Sequence, residues 1–199
     1  MHNQGASQFS LLGTLMVISA LSKAELLALL AAARAGRERD WLLFCISYNH
    51  ALRVSEAVGL KVDDITEHGI RIVALKGGER VTQPLIAHPE PLLNERDALL
   101  AFRLTKRGKQ TLFGIGRRQA HYLMQKYGAL ANLPEHKRHP HVLRHTCGSD
   151  LIEKTEINKV QAWMRHKNMG STGVYLRPSQ EQVNAAVLAA LGAEIPPAG

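Results

Sequence analysis

The chain has 199 residues, 45% of them hydrophobic, and it carries two cysteines and a formal net charge of +8. This length suits one large domain, or one domain with extensions, and the composition indicates a mostly helical globular protein. Cys45 and Cys147 have neither disulfide nor zinc spacing, which excludes a disulfide framework and predicts a reducing, cytoplasmic location.

The first feature along the chain is an apolar run, "SLLGTLMVISAL", at residues 10–21. It is too short to span a bilayer and lacks the basic segment that begins a secretory signal, so no membrane partner is expected. We expect residues 1–21 to form an N-terminal arm that packs against the domain or a neighbour.

Three helices are predicted next. Ser22 is the N-cap of the first, Glu25 completes a capping box, and Gly36 ends it. A second helix at about residues 40–49 brings apolar and aromatic side chains into the core, and a short third helix ends near Gly59.

The pattern then changes to alternation. Ile70, Ile72 and Ala74 alternate with other residues, "KGGE" marks a turn, and residues 81–86 return, which predicts a β-hairpin. The later periodic segments predict helices at about residues 89–104, 116–131, 140–153, 156–165 and 180–191.

The expected fold class is therefore mainly α with a small antiparallel β-sheet (α+β). We expect three parts, which are the arm, a domain at residues 22–178, and a C-terminal helix and tail at residues 179–199.

Positive charge is concentrated in one stretch of the chain. From Arg103 to Arg144 there are ten lysines and arginines but one acidic residue, Glu135. Such a one-sided segment is typical of a protein that binds a phosphate backbone, and its spread over several elements favours nucleic acid over a membrane. The candidate nucleic-acid contacts are Arg117, Arg118, Lys137, Arg138 and, beyond this stretch, Arg165.

The segment "HPHVLRHTCGSDLIEK", residues 139–154, predicts a helix with a polar face and a core face. Positions 141, 144, 145 and 148 share one side, and Leu143, Cys147 and Leu151 share another. A solvated basic face, a metal site and an anion site are all compatible with this pattern.

Two further segments carry charged residues in unusual surroundings. In "ALRVSE", Arg53 lies among apolar residues and needs a partner, which Glu56 three residues later could provide. In "LKGGER", Lys76 stands beside glycines that let its side chain reach away. A structural ion pair and a solvated turn lysine remain the alternatives.

In "MRHKNMGSTGVYLRPS", His166 is followed nine residues later by Tyr175. A phenol with a pKa of about 10 is a poor nucleophile and needs activation. Phosphoryl transfer without a metal would require arginine and histidine donors around the phosphate and an acid for the leaving oxygen, which a lysine can supply.

The motifs "ALRVSE", "LKGGER", "HPHVLRH" and "RHKNMGSTGVY", in this order, resemble the catalytic domain of the tyrosine recombinases, or phage-type integrases, over roughly residues 22–191. The resemblance implies a site-specific recombinase that cleaves and rejoins double-stranded DNA through a 3′-phosphotyrosyl intermediate, without metal, cofactor or ATP. It also implies self-assembly, as a dimer or tetramer on paired sites, through the C-terminal helix.

The same resemblance implies a role for each residue. Arg53 and Arg144 would bind the non-bridging oxygens of the scissile phosphate, and Glu56 would orient Arg53. Tyr175 would attack the phosphorus. The remaining three would act on protons and on the phosphate: His141 in proton transfer, His166 as a hydrogen-bond donor, and Lys76 as the acid for the departing 5′ oxygen.

The chain departs from the family pattern in two respects. Arg165 stands where the family usually has glycine, before the second active-site histidine. A separate N-terminal helical domain is also missing, so the chain resembles short single-domain recombinases such as the fimbrial-type DNA invertases, or a catalytic fragment of a longer enzyme.

Three other functions remain to be weighed. A metal enzyme would use the histidines of "HKRHPHVLRH", but no acid or cysteine lies at helical spacing to complete a zinc site, and the neighbouring cations would repel a metal. A type IB topoisomerase-like activity would use the same chemistry. A DNA-binding regulator would keep the fold without catalysis.

Overall fold

The computed structural model describes residues 20–73, 80–165 and 178–193. Within these ranges the chain forms short 3-10 turns at Val62–Asp64 and Glu135–Lys137, and the following helices and strands: α1 (Lys23–Gly36), α2 (Glu38–Asn49), α3 (Val54–Gly59), β1 (Ile65–Thr66), β2 (Gly69–Val73), β3 (Arg80–Gln83), α4 (Arg96–Leu104), α5 (Arg117–Leu130), α6 (His141–Ile152), α7 (Ile157–Trp163) and α8 (Gln180–Leu191). The predicted fold class, mainly α with a small antiparallel sheet, is confirmed.

Helix α2 forms the centre of the core. All its residues from Asp40 to Asn49 are buried, so it is enclosed on every side, as a central helix of a globular protein is. It contacts α1, α3, α4 and α6. Because α2 is fixed from all sides, its C-terminal end at Asn49 is a rigid support for whatever binds there.

Helix α1 begins as its sequence predicts. Ser22 Oγ accepts a hydrogen bond from the Glu25 backbone N–H at 3.2 Å, and Glu25 Oε2 accepts one from the Ser22 N–H at 2.7 Å. Just before it, the Leu21 N–H donates to Thr146 Oγ1 at 2.9 Å and the Leu21 side chain is buried. The end of the predicted arm therefore packs on α6, while residues 1–19 lie outside the described ranges.

The sheet contains the predicted hairpin and one strand more. Strands β2 and β3 pair antiparallel with Ile72 opposite Val81, and the two-residue strand β1 adds to β2. Strand β3 ends at Gln83 rather than at residue 86 because Pro84 has no N–H for a ladder hydrogen bond. The turn of the hairpin, with Lys76, lies outside the described ranges.

One predicted helix boundary is wrong. Helix α4 starts at Arg96 rather than near residue 89, because the chain before it forms a turn. In that turn the N–H groups of Leu93 and Asn94 donate to Glu90 O, and Trp41 Nε1 donates to Leu92 O. The other predicted helices lie within a few residues of their predicted ends.

Helix α8 is capped by Ser179 at its start and by left-handed Gly192 at its end. Its buried residues are Val183, Val187 and Leu188, and it packs against α6 and α7 of its own chain. This packing buries only part of the apolar surface of α8, because Ala186, Ala190 and Leu191 remain half-buried. No helix in the described ranges is long and apolar enough to cross a membrane.

A buried polar network ties four parts of the fold together at the end of α2. Glu95, which is fully buried, accepts hydrogen bonds from Asn49 Nδ2 at 2.9 Å and from His50 Nε2. The other nitrogen of His50 contacts Gln83 Oε1 at 3.0 Å, and Gln83 Nε2 donates to Trp163 O at 2.9 Å. The end of α2, the end of β3, the start of α4 and the end of α7 are therefore held in one register.

We predict that Glu95→Ala lowers the free energy of unfolding by about 3–5 kcal/mol, because it leaves buried donors of Asn49 and His50 without their acceptor. Urea unfolding at pH 7 measures the change. Glu153→Ala, at an exposed carboxylate, is the matched control and should change stability little. A loss of under about 1 kcal/mol for Glu95→Ala would contradict the role given to this network.

Candidate active site

The floor of the site is the short connection between α2 and α3. Ala51 adopts a left-handed conformation with φ 46°, which is costly for a residue with a Cβ. The carbonyls that follow the end of α2 find partners from other elements: Asn49 O accepts from Trp163 Nε1, and His50 O and Ala51 O accept from arginines. Carbonyls at a helix C-terminus carry partial negative charge, so this floor suits cations.

Arg144 reaches this floor from α6. Its side chain is buried, with Nη1 donating to Ala51 O and Nη2 donating to Met164 O. These bonds use two of the five N–H donors of a guanidinium. The alternative of a solvated basic face therefore does not hold at Arg144, which is buried, or at Gly148, which packs against Met164.

Arg53 and Glu56 form the pair that the sequence predicts. Arg53 is the N-cap of α3, and its Nη1 donates to Glu56 Oε1 at 2.8 Å. The Arg53 backbone N–H donates to Glu56 Oε2 at 2.9 Å. The Glu56 side chain is fully buried whereas 34% of the Arg53 side chain is exposed. One edge of the Arg53 guanidinium is thus fixed while the side chain remains accessible to a ligand.

Arg165 follows α7 and lies inside the protein, with 9% of its surface exposed. Its Nη2 donates to Glu56 Oε2 at 3.1 Å and to Ala51 O at 3.0 Å, and its Nη1 donates to Trp163 O at 2.8 Å. That Arg165 contacts DNA stays a prediction, and the structure places its terminal nitrogens on acceptors inside the protein.

Two guanidinium groups, those of Arg53 and Arg165, therefore share the Glu56 carboxylate, and Arg144 lies near enough for its charge to interact with all three. Burial alone would raise the pKa of Glu56, but the charge of Arg165 and the hydrogen bonds from Arg53 outweigh it and lower that pKa. Burial, followed by repulsion from Arg53 and Arg165, lowers the pKa of Arg144 to about 10, so Arg144 stays protonated at neutral pH. The cluster keeps a surplus of positive charge, which a phosphate group can neutralise.

Two histidines lie beside the cluster, on the first turns of α6. His141 and His145 meet edge to face with ring centroids 4.5 Å apart. His141 remains solvent accessible, but neighbouring atoms remove part of the water around its ring. This desolvation, followed by repulsion from His145 and Arg144, lowers the pKa of His141 to about 4. His141 is thus neutral at pH 7 and able to accept a proton, as assistance in proton transfer would require.

The structure distinguishes among the other candidate DNA contacts. Lys137 pairs with Glu25 at 2.8 Å, and Arg138 Nε donates to Leu133 O at 2.7 Å, so both side chains hold the fold together, which sequence did not anticipate. Arg117 and Arg118 are exposed on the first turn of α5. They are the members of the set that remain available to an anion.

Three predicted catalytic residues, Lys76, His166 and Tyr175, lie outside the described ranges. Within those ranges, no three side chains of His, Cys, Asp or Glu come together as metal ligands would.

Sequence reasoning missed the carbonyl floor and the interior role of Arg165. The available signal was the arginine itself, at a position where the family usually has glycine. The left-handed φ of 55° at Arg165 explains that usual glycine, since glycine adopts this conformation without strain.

The lowered pKa of His141 makes stability depend on pH. Its pKa is about 4 in the folded chain against an ordinary 6.5, so between these values the unfolded chain binds a proton that the folded chain does not. We predict that the free energy of unfolding falls as the pH drops from 6.5 towards 4. The slope of this free energy against pH gives the number of protons taken up on unfolding, and His141→Gln should reduce that number by up to about one. Urea unfolding across this range measures it.

The matched control is His68→Gln in the exposed turn between β1 and β2, which should keep the slope of the unaltered chain. A His141→Gln slope equal to that of the unaltered chain would contradict a neutral His141.

The chain is similar in sequence to members of one protein family. Residues 19–182 match the Phage integrase family. Tyrosine recombinase XerA of Thermococcus kodakarensis is 29% identical over 176 residues, which cover 84% of this chain and 61% of that protein. Type 1 fimbriae regulatory protein FimE of Escherichia coli K12 is 30% identical over 150 residues, which cover 69% of this chain and 73% of that protein.

Solved structures agree in fold. A crystal structure of XerA recombinase has a TM-score of 0.61 at 22% identity, covering 83% of this chain and 62% of that one. XerH site-specific recombinase, in a pre-cleavage complex with its difH substrate, also has a TM-score of 0.61, at 20% identity, covering 84% of this chain and 53% of that one.

The chain spans about three fifths of the length of the XerA relative. The family match covers most of the chain and contains Arg53, Glu56, His141 and Arg144. The resemblance inferred from the four motifs is thereby confirmed, and the chain belongs to the Phage integrase family.

Proposed function

We propose that this protein is a site-specific DNA recombinase that cleaves and rejoins double-stranded DNA through a 3′-phosphotyrosyl intermediate. The observation that carries the proposal is the arginine cluster, in which Arg53 and Arg165 share the carboxylate of Glu56 and Arg144 is held beside them by backbone carbonyls. A surplus of fixed positive charge beside an accessible guanidinium stabilises the charge that develops on a phosphate under attack. The relatives named as tyrosine recombinases support this assignment.

In the proposed reaction the phosphodiester lies over Arg53 and Arg144, whose remaining N–H donors bind its two non-bridging oxygens. The oxygen of Tyr175 attacks phosphorus, the bond to the 5′ oxygen breaks, and the 3′ phosphate becomes linked to the tyrosine. Attack by a 5′ hydroxyl of the partner strand reverses these events. The phosphodiester energy is kept in the covalent link, so that no ATP is consumed.

Protons move through three residues in this proposal. His141 is neutral at pH 7 and assists transfer of the tyrosine proton. Lys76 protonates the departing 5′ oxygen, and His166 donates a hydrogen bond to the phosphate.

The start of α5 is the proposed DNA contact outside the arginine cluster. Its first turn has two arginines and no acidic residue, and Gly116 gives it no side-chain cap. Cations at the positive end of a helix dipole repel that end when no ligand is bound. A phosphate bound there is attracted by both the arginines and the dipole, and it can accept hydrogen bonds from the first-turn N–H groups, which have no partner within the helix.

The proposal includes the location of the protein and its assembly. The protein acts on DNA in the cytoplasm and assembles with further copies of itself on paired sites. Assembly through α8 would use apolar side chains of that helix that its own chain leaves half-buried, such as Ala186, Ala190 and Leu191.

We predict that Tyr175→Phe retains DNA binding but forms no covalent protein–DNA adduct, because the attacking oxygen is gone. The measurement is denaturing electrophoresis after incubation with a pool of nicked suicide duplexes of randomised sequence. Tyr122→Phe, which removes the hydroxyl of an exposed tyrosine on α5, is the matched control and should form the adduct. An adduct in Tyr175→Phe would reject Tyr175 as the nucleophile. Binding without any adduct in the unaltered chain would favour a non-catalytic DNA-binding protein.

We predict that replacing both Arg117 and Arg118 by alanine weakens DNA binding and lowers the salt slope of the affinity by about 1–2, because fewer counterions are released. Binding is measured by fluorescence anisotropy between about 50 and 200 mM salt. Lys159→Ala is the control, since Lys159 is already paired with Glu156 at 2.6 Å. An unchanged slope in the double variant would remove α5 from the DNA interface.

A further inference from the structure

Arg165 is an arginine where the backbone favours glycine. Its φ of 55° places it in the left-handed region, and its side chain is nevertheless retained and buried. A substitution to glycine would relieve the backbone, so the side chain must contribute something that offsets this conformational cost.

The contacts of Arg165 identify that contribution. Its Nη2 binds the same oxygen of Glu56, Oε2, that also accepts from the backbone N–H of Arg53. It also donates to Ala51 O, the carbonyl that accepts from Arg144 Nη1. Arg165 therefore binds the carboxylate whose other oxygen, Oε1, accepts from the Arg53 guanidinium, and it binds the carbonyl that accepts from the Arg144 guanidinium.

The side chain is also immobilised. Nη1 donates to both His50 O and Trp163 O, at 3.2 and 2.8 Å, which joins the end of α2 to the end of α7. The Nε atom is buried and has no hydrogen-bond partner within the described part of the chain. In the described part of the chain, the side chain is held by its terminal nitrogens, and only 3% of it is exposed.

We propose that Arg165 is a positioning residue for DNA cleavage, which holds the Glu56 carboxylate and the Ala51 carbonyl where they orient Arg53 and Arg144. It acts through those two acceptors and does not touch the substrate. This inference rests on the proposed recombinase function.

The charges around Glu56 show how the role can be measured. Arg53 faces it from the start of α3, Arg144 from α6 and Arg165 from the end of α7, and the buried thiol of Cys147 lies near Arg144 and Arg165. After burial, which raises the pKa of Glu56, the charge of Arg165 is the largest influence on it. Removing that charge should raise the pKa of Glu56, whereas removing only packing should not.

The test compares Arg165→Met, which is neutral, with Arg165→Lys, which keeps the charge. The pKa of Glu56 is read from its carboxyl carbon by NMR in the protein without DNA. The single-turnover rate of adduct formation and the DNA affinity are then measured across the same pH range.

We expect Arg165→Met to raise the pKa of Glu56 and to bind DNA at pH 8 nearly as the unaltered chain does. Its cleavage rate should fall about tenfold per pH unit below the new pKa, as for any rate that needs one ionised group. Arg165→Lys should keep both the pKa and the pH profile near those of the unaltered chain.

Matching pH profiles for Arg165→Met and the unaltered chain would overturn the proposal, as would a Lys variant that behaves like the Met variant. Arg165→Gln replaces Arg165→Met if the latter does not fold, and failure of both neutral variants to fold would make Arg165 purely structural. If the unaltered chain forms no adduct, the proposed function fails, while the NMR titration still decides whether Arg165 controls Glu56.

Discussion

The site depends on one electrostatic arrangement, in which a single buried carboxylate, Glu56, and the carbonyls at the end of α2 hold three arginines together. Two of them, Arg144 and Arg165, share the carbonyl of Ala51, and two, Arg53 and Arg165, share Glu56. If carboxylates of the protein neutralised all three guanidinium groups, no net positive charge would remain to attract an anionic ligand. Carbonyl dipoles instead stabilise the guanidinium groups without cancelling their charge, so the cluster remains an anion site.

The rest of the fold serves to fix that floor. Helix α2 is enclosed by the core, and the chain of contacts from Glu95 through His50 and Gln83 to Trp163 O joins its end to the sheet and to α7. His50 also stacks on the Trp163 ring, with centroids 5.9 Å apart. A displacement of the sheet or of α7 would therefore move the carbonyls that hold the arginines.

How far the sequence could predict this arrangement depends on the range of each interaction. Arg53 and Glu56 are three residues apart, and their pairing follows from helical spacing. The caps of α1 and α8 were predictable for the same reason. Arg144 was assigned to the phosphate through the family resemblance, but its bonds to Ala51 O and Met164 O could not be predicted, because periodicity shows which residues share a side and not what packs on it. The burial of Arg165 depends on Ala51, far away in the chain, and no local pattern encodes that contact.

In the proposed function, fixed guanidinium charge does the work at the phosphate that a metal ion does in many nucleases. The most direct measurement is the rate of adduct formation by the unaltered chain, on a nicked duplex recovered from the randomised pool, in excess EDTA and again with added Mg²⁺ or Zn²⁺. We expect the same rate of adduct formation in EDTA, with Mg²⁺ and with Zn²⁺. Loss of the adduct on chelation, with recovery when a metal is returned, would contradict this expectation.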